Sequence, residues 1–451
     1  MDAMEQALVH LRKTEGEVTN QILKDLISWH SHDRTRMELL YERYKATEKG
    51  VPVLTRRFED RNKINNKLNN DFFSEIIDTE VGYFAGEAIS YTISDEVEGN
   101  ERLAELLDEF RQRNDIPDLD AETYKMACIC GYGSRLCYID RDGQEKVMNV
   151  DPWECIFISD MSINEPQYAM RYYKVTVKEN GKEDERWRVE WYDDKTVKFY
   201  MQGQGGYYLE GEQPHLFDEV PLIGFPKNEE LQSHAEKVVK LIDGYDNTMS
   251  DVNSEIEQFR LAYMAIYGME VDDETLKKAK KTGAFSHTAT DWRMEFITKA
   301  LPDTPIENHL NRIENNIYRF SKTPNFADEA FAGSQSGEAR RYKMLTFENK
   351  TKTAERKFHK SLRRMFKVVA TAWAKKGIAL NYTDIDMTFT RNFPLDLKYE
   401  AEIQQILMGL VSTATRLSLF SAIEDPDAEI EAMGAEQTVN LDAIEPDDEP
   451  A

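Results

Sequence analysis

The chain is poor in the features by which most function classes can be read. Its 451 residues include four cysteines, Cys128, Cys130, Cys137 and Cys155, which lack the paired C-x2-C spacing of a zinc ribbon and are read as reduced, half-buried thiols. No apolar run approaches the ~18 residues of a membrane span; the best, Met365–Ala374, carries Lys367 and runs into Lys375. The N-terminus has Asp2 and Glu5 and no apolar core of a secretory signal, so a soluble intracellular product is expected. Positive charge is also scarce: 57 Lys and Arg stand against 83 Asp and Glu, a net of −26. That balance argues against gripping nucleic acid over the whole surface, because neutralising phosphates needs local Lys and Arg. It leaves open a protein past which DNA slides.

Catalytic signatures are missing too. The only Gly-Lys pair, Gly181-Lys182, sits in turn chemistry and is followed by Glu183, and Gly203-Gln204-Gly205-Gly206 precedes no helix, so no phosphate-cradling loop is readable. His30, His32 and Asp33 are a plausible metal set by type, but in a helix i and i+2 point about 200° apart and do not converge. Pairs such as Asp272-Asp273 and Asp384/Asp386 lack a supporting constellation, no G-x-S-x-G elbow occurs, and the cysteines have no assignable histidine partner. No cofactor, metal or catalytic residue is therefore assigned, and the chain is read as a non-enzyme.

What remains is substantial. Hydrophobic residues at 41% and aromatics at 11% indicate a folded core, and the length suits two to four structural units at roughly 100–200 residues each. The first 130 residues read as helices: Met4–Lys49, Asn69–Phe84, Glu101–Arg113 and Ala121–Ile129. From Ser134 the period changes to two. Ser134–Asp140 and Glu145–Val150 flank an Asp-Gly hairpin, and Glu154–Ser159, Tyr168–Val177, Glu185–Tyr192 and Thr196–Gln202 complete one small antiparallel sheet over about 134–202. The expected class is α+β, mainly α-helical.

After a Ser233-x-x-Glu236 capping box, Val238, Ile242, Tyr245, Met249, Val252, Ile256, Phe259, Tyr263 and Ile266 recur at alternating steps of four and three. The spacing predicts a narrow-striped helix about 50 Å long. Thr304-Pro305-Ile306-Glu307 opens a second such helix with Ile306, Leu310, Ile313, Ile317 and Phe320. Between them lies a compact insert with Lys277-Lys278-Ala279-Lys280-Lys281 and a strand at Met294–Thr298. Such stripes call for neighbouring helices, either within one subunit or between subunits. A small-residue loop, Asn325–Gly337, feeds a long helix over 338–376 that carries 13 Lys and Arg against Glu338, Glu348 and Glu355. It lacks apolar contact residues at Glu348–Thr353, where a kink is expected, and its Tyr342, Phe358, Phe366 and Trp373 are candidates for nucleic-acid contact. A strand at Asp384–Thr390, an apolar helix at Ala401–Leu419 and an acidic, disordered tail from Glu424 follow.

The order of these pieces resembles a known family. Asn69-Asn70-Asp71-Phe72-Phe73, Ile76-Ile77-Asp78 and Gly82-Tyr83-Phe84-Ala85-Gly86 are similar to the N-terminal signature of portal proteins of tailed bacteriophages, the long-tailed (siphophage) type. Val220-Pro221-Leu222, Leu241-Ile242-Asp243-Gly244-Tyr245-Asp246 and Ser250-Asp251 resemble the approach to that family's stem. Phe331-Ala332-Gly333-Ser334-Gln335-Ser336-Gly337-Glu338-Ala339 resembles its tunnel loop, and Phe389-Thr390-Arg391-Asn392-Phe393-Pro394 its return segment. The likeness spans Met37–Pro394.

The resemblance implies a ring, usually of twelve subunits, at one capsid vertex, through which double-stranded DNA is packaged and ejected. It implies a wing (1–231 and 338–396), stem helices (232–268 and 304–323), a clip (269–303), a tunnel loop (324–337) and a crown (397–451). Asp328, Glu329, Phe331, Ser334 and Gln335 would line the DNA channel; Ile256, Phe259, Ile313 and Ile317 would form the stem interface between subunits. Lys277, Lys278, Lys280 and Lys281 would lie on the clip, which docks the terminase large subunit and later a head-completion or adaptor protein. Major capsid and scaffolding proteins are the other implied partners, with no membrane. Two other readings from the residues are a DNA-processing enzyme using the basic helix 338–376 and a non-DNA coiled-coil scaffold.

Overall fold

In the computed structural model, residues 3–434 are described except 15, 60–62, 95–96, 98, 160–165, 180–181, 260–262, 268–271, 275–276, 278–292, 298–302, 327–336, 393–396, 421–422, 424–428 and 431. They form an α+β fold in two compact units, 1–324 with 349–390, and 325–348 with 391–451.

The larger unit begins with α1 (Ala3–Lys13) and α2 (Asn20–Tyr44). The single helix expected from Met4 to Lys49 is thus two. The Thr19 hydroxyl accepts from the Ile22 N–H at 3.3 Å and starts a new N-terminus, while Gly16, at φ +91°, turns the chain before it. Ala7, Leu8 and Leu11 then pack with Leu23 and Leu26 against Ile156, Met170 and Trp191 of the sheet.

Next come α3 (Pro52–Thr55), α4 (Phe72–Ala85), β1 (Ser90–Ile93), α5 (Asn100–Arg113) and α6 (Ile116–Cys130). The strands β2 (Tyr132–Ile139), β3 (Glu145–Val150), β4 (Cys155–Ile158), β5 (Tyr168–Glu179), β6 (Lys182–Tyr192), β7 (Thr196–Gly203), β8 (Gly206–Pro214) and β9 (Leu222–Pro226) follow. The expected hairpin is present: β2 and β3 pair antiparallel, and the Asp140 carboxylate accepts from the Asp142 and Gln144 N–H groups across the turn. The expected single sheet over 134–202 is instead two antiparallel sheets, ordered β3-β2-β9 and β4-β5-β6-β7-β8. The second Gly-rich turn closes β7 onto β8, a strand whose polar, Gly-interrupted sequence hides its alternation.

A helical hairpin is built from α7 (Val239–Phe259) and α8 (Asp303–Ser321), with β10 (Tyr263–Tyr267) and β11 (Arg293–Ile297) paired antiparallel between them. The first helix therefore stops short of Tyr263 and Ile266, which lie on a strand. The expected strand at Met294–Thr298 is β11, one residue earlier.

The 39-residue α9 (Gly337–Lys375) supplies the core's central apolar face: Phe358, Leu362, Met365, Phe366, Val369 and Trp373 are buried among Phe73, Ile76, Ile77, Phe110 and Tyr124. Burying each large apolar side chain contributes about 1.5–3 kcal/mol. Phe358, Phe366 and Trp373 are consequently unavailable to nucleic acid, against the sequence expectation. The helix runs through 348–353 without interruption; Thr351 there, and Ala354 just beyond it, are buried. The strand β12 (Ile385–Thr388) returns to pair with β1.

In the smaller unit, α10 (Leu397–Leu407) and α11 (Thr413–Leu417) replace the single helix expected over Ala401–Leu419. Gly409, at φ +82°, breaks it, and the Ser412 hydroxyl accepts from the Thr415 N–H to restart it. Arg391 pairs with Glu348 at 3.2 Å. Residues 424–428 and 435–451, most of the acidic tail, lie outside the described residues.

Candidate functional site

The helical hairpin is fastened to the body by a polar ladder. Along α7, Asp243, Asp246, Ser250 and Ser254 recur at steps of three, four and four, so they share one helix face. Asp243 takes the Arg43 guanidinium at 2.6 Å. Asp246 accepts from the Asn70 backbone N–H at 2.8 Å and from its side-chain amide at 3.0 Å. The Ser250 and Ser254 hydroxyls accept from the N–H groups of Leu68 and Asn66, each at 2.9 Å. The segment 66–70 is thus satisfied by the hairpin as an edge strand would be by a neighbour. Beside it Phe72 packs edge-on against Tyr245 of α7 and Tyr318 of α8, and the Tyr318 hydroxyl donates to Glu75 at 2.9 Å. Two short motifs far apart in the chain, around Asn69–Phe73 and around Asp243–Asp251, are therefore halves of one joint. The sequence reading quoted Ser250 within a motif but gave it no bonding role, and it missed Ser254; their four-residue spacing from Asp246 was the available signal.

At the root of the hairpin lies a buried ionic cluster. Glu80 accepts from Lys227, from the Tyr124 hydroxyl at 2.6 Å and, on its other oxygen, from the Thr351 hydroxyl at 2.9 Å. His234 bonds Thr323 at 3.3 Å. Only half of the expected capping box is used in the usual way: the Glu236 carboxylate accepts from the Ser233 N–H at 2.9 Å, while the Ser233 hydroxyl donates to the Cys128 carbonyl. A second buried pair, Arg135 with Asp120 at 2.9 Å, is joined by the Tyr91 hydroxyl, which donates to Asp120. Burial raises the Asp120 carboxyl above its usual range, and Arg135 opposes that rise.

Lys357, Lys360, Arg363, Arg364 and Lys367 of α9 line a cleft of about 780 Å³ together with Tyr132, Phe157 and Leu222. Three of the five helix cations lining it are matched within the chain: Glu219 pairs with Arg364 at 2.9 Å and Lys367 at 2.8 Å, and Glu229 with Lys357; outside the cleft Asp218 pairs with Lys375. A pre-neutralised face has little left for phosphates.

The apolar stripe of the hairpin changes exposure along its length. Val238 and Ile242 are buried, Tyr245, Met249 and Val252 are half-buried, and Ile256 is 49% exposed. On α8, Ile313 is half-buried against the core and Ile317 is fully buried in it. Ile317 is thus spent inside its own chain and is not available to the expected interface, because that end of the hairpin is packed into the core cluster. Phe259 is helical, but its side chain is outside the described set. Lys277 is helical and exposed; Lys278, Lys280 and Lys281, and the loop residues Asp328, Glu329, Phe331, Ser334 and Gln335, lie outside the described residues.

All four cysteines are free and fully buried rather than half-buried. Burial pushes the Cys128, Cys137 and Cys155 thiols up to about 12. His30 is buried with its Nδ1 at 2.8 Å from the Tyr172 hydroxyl, and burial lowers it to about 4; His32 faces solvent. Among the described residues no group of three or more His, Cys, Asp and Glu could hold a metal, and no helix is long and apolar enough to cross a membrane.

Residues 23–440 match the model of the phage portal protein family, SPP1 Gp6-like. The chain belongs to the phage portal protein family. Among its relatives, the portal protein of Bacillus phage SPP1 is 23% identical over 463 aligned residues, covering 95% of this chain and 88% of that protein. The portal protein of Clostridium phage phiCD119 is 24% identical over 408 residues, covering 85% of this chain and 88% of that one. The match spans both halves of the Asn70–Asp246 joint, the hairpin and α9, so family membership and the fastening described above concern the same residues.

Proposed function

We propose that this chain is the subunit of a closed ring at one vertex of a phage capsid, through which double-stranded DNA is packaged and later ejected. The observation that carries the reading is the exposure gradient on the hairpin. The subunit buries Val238, Ile242 and Ile317 at the proximal end in its own core and leaves Ile256, near the distal end of α7, 49% exposed. A heterologous contact of this kind, repeated by rotation, closes into a ring. Family membership supports a count on the order of twelve copies, the usual closed arrangement for such a ring.

In this reading α7 and α8 are the stem, and the clip begins at the β10 strand and not at Met269. The exposed Lys277, with Lys278, Lys280 and Lys281, lies on the clip surface that docks the terminase large subunit and then a head-completion protein. Residues 1–231 and 338–396 form the wing, facing major capsid and scaffolding proteins, and 397–451 the crown. Asp328, Glu329, Phe331, Ser334 and Gln335 belong to the tunnel loop beside the channel. The net charge of −26 suits a conduit, since each neutralised phosphate would add affinity and friction. The ring supplies a passage; a separate motor supplies energy.

The test is the native mass and negative-stain image of the purified full-length protein. The expected result is a closed ring of about twelve times the 52.4 kDa chain. A stable monomer at micromolar concentration and physiological salt, or an open filament, overturns the reading.

A further inference from the structure

The cleft beside α9 carries charge that its own walls leave unspent. Six cations line it, Arg36 of α2 and five of α9, with the carboxylates of Asp33, Glu229, Glu230 and Glu236. Arg36 holds Glu236 at 3.0 Å and lies 3.7 Å from Asp33, while Lys357, Arg364 and Lys367 are taken by Glu229 and Glu219. Lys360 and Arg363 are left over. Both are exposed, and neither has a carboxylate partner among the described residues. Arg356, four residues before Lys360 on the same helix face, is exposed and likewise unmatched among them. Apolar surface is left over too: Trp29 of α2 is 37% exposed and Leu231 41% exposed, and both line the cleft. Leu231 has φ +53°, the left-handed region that a branched side chain avoids. It is held there by the Arg36 guanidinium, which donates to its carbonyl at 3.1 Å.

We propose that this cleft is the docking site of the chain's own acidic segment, residues 435–451. That segment lies outside the described residues. Its sequence holds six carboxylates and no Lys, Arg or His, and its aliphatic residues Val439, Leu441 and Ile444 are interleaved with Asp442 and Glu445. Both surpluses of the cleft are matched by that composition: the unspent cations by carboxylates, and the uncovered Trp29 and Leu231 by aliphatic side chains. A volume of about 780 Å³ lies within the roughly 300–1,000 Å³ of ordinary ligand pockets. It has room for a few residues of a peptide and not for a folded domain. Nucleic acid suits the cleft less well. Duplex DNA carries a charge about every 1.7 Å along its axis and needs a run of spare cations; three are few, and an apolar wall offers phosphates nothing.

The two contributions differ in kind. Exposed ion pairs are individually weak and are screened by salt, so the aliphatic contacts fix the position and the cations select for carboxylates. A docked segment also withdraws from DNA the cations that α9 leaves unspent, which suits a conduit. The inference does not depend on the ring, whose test is the native mass; either can fail while the other stands.

Hydrogen exchange of the full-length protein at low salt, followed by mass spectrometry, reads the docking directly. Amides around Val439–Ile444 should exchange about tenfold or more below their intrinsic rates. Lys360→Glu combined with Arg363→Glu should return them to those rates, whereas Lys360→Arg combined with Arg363→Lys should keep the protection. Both side chains are exposed, so neither pair of changes threatens the fold. Leu441→Ser combined with Ile444→Ser should also remove the protection, which attraction between charges alone would not do. A zero-length carbodiimide should join the Lys360 amine to a carboxylate within 435–451. Intrinsic rates in the unmodified protein, or protection that survives the two Glu or the two Ser substitutions, overturns the proposal. So does a Lys360 crosslink to a carboxylate elsewhere in a second copy, which would make the cleft an interface between copies. Displacement of the segment by an equimolar short DNA duplex would give the cleft to nucleic acid and overturn it as well.

Discussion

Asp246 accepts both hydrogen bonds that Asn70 can direct at it, one from the backbone and one from the side-chain amide. The carboxylate is nearly inaccessible, and burial raises it while the two Asn70 donors pull it back. A buried donor left without its acceptor costs about 1–3 kcal/mol. Asp246→Ala should therefore destabilise the subunit by that amount in urea unfolding. In a double-mutant cycle with Asn70→Ala the two sites should couple by about 0.5–3 kcal/mol, since one side of the joint is useless without the other. Additive effects would show that the joint carries no interaction energy.

Ile256 and Ile317 sit on the same hairpin and should fail in opposite ways. Ile256 is exposed in the subunit, so Ile256→Asp should leave circular dichroism and the melting temperature of the subunit within a few degrees while abolishing assembly in light scattering. In an assembled interface the new charge would be buried and unpaired, at several kcal/mol per contact. Ile317 is in the core, so Ile317→Asp should cost the fold itself. An assembled Ile256→Asp ring would remove this contact from the interface.

The buried His30 gives a pH dependence of definite sign. Its proton affinity drops from an ordinary 6.5 to about 4 in the fold, so the unfolded chain takes up a proton that the native one refuses. Stability should be unaffected by His30 above 6.5 and should fall as pH drops toward 4, at about 1.4 kcal/mol per pH unit. His234 is displaced in the same direction, so the His30→Phe variant should show a slope shallower by one proton, not a flat profile. Equal slopes in urea titrations of the two proteins between pH 4.5 and 6.5 would refute the assignment.

Which parts of this were legible in the sequence follows from the length over which a pattern persists. The hairpin helices, α4, α5 and the β2–β3 turn are long or carry a turn signature, and they stand where periodicity puts them. Tyr263 and Ile266 continue a four-three count for one more step, yet Tyr263–Tyr267 is β-rich and pairs with Arg293–Ile297; over five residues the two periods cannot be told apart. Likewise β1, four residues long, is defined only by its partner β12, almost 300 positions away (Ser90↔Thr388). The α1–α2 break rests on one capping threonine inside a charged run. The ionic cluster was illegible for a different reason: Glu80 and Lys227 are unremarkable charges until the fold brings them together.

The four thiols should be silent in the native protein. They are fully buried and, by burial, hold their protons far above neutral pH, and the thiolate is the reactive form. A chromogenic disulfide reagent at pH 7.5 should titrate none of them in the folded chain and four in urea. A thiol that reacts within minutes in the native protein would contradict that burial.

That silence makes an introduced thiol informative at Ser334, the centre of the proposed tunnel loop. The loop joins the end of α8 to the start of α9, and the proposed ring would have it turn back where stem meets wing, beside the channel. Small residues let several copies crowd there at low steric cost, and Asp328 and Glu329 would present like charge to passing phosphates. Ser334→Cys rings should therefore assemble normally, crosslink between neighbouring subunits with a short bifunctional maleimide, and retain packaged DNA when crosslinked. Replacing Asp328 and Glu329 by Asn and Gln should slow packaging or alter DNA retention without changing ring assembly. Free labelling of Ser334→Cys from the outside of intact capsids, or unchanged packaging and retention in the doubly neutralised variant, would place the loop away from the channel and return its acidic residues to an ordinary solvated surface.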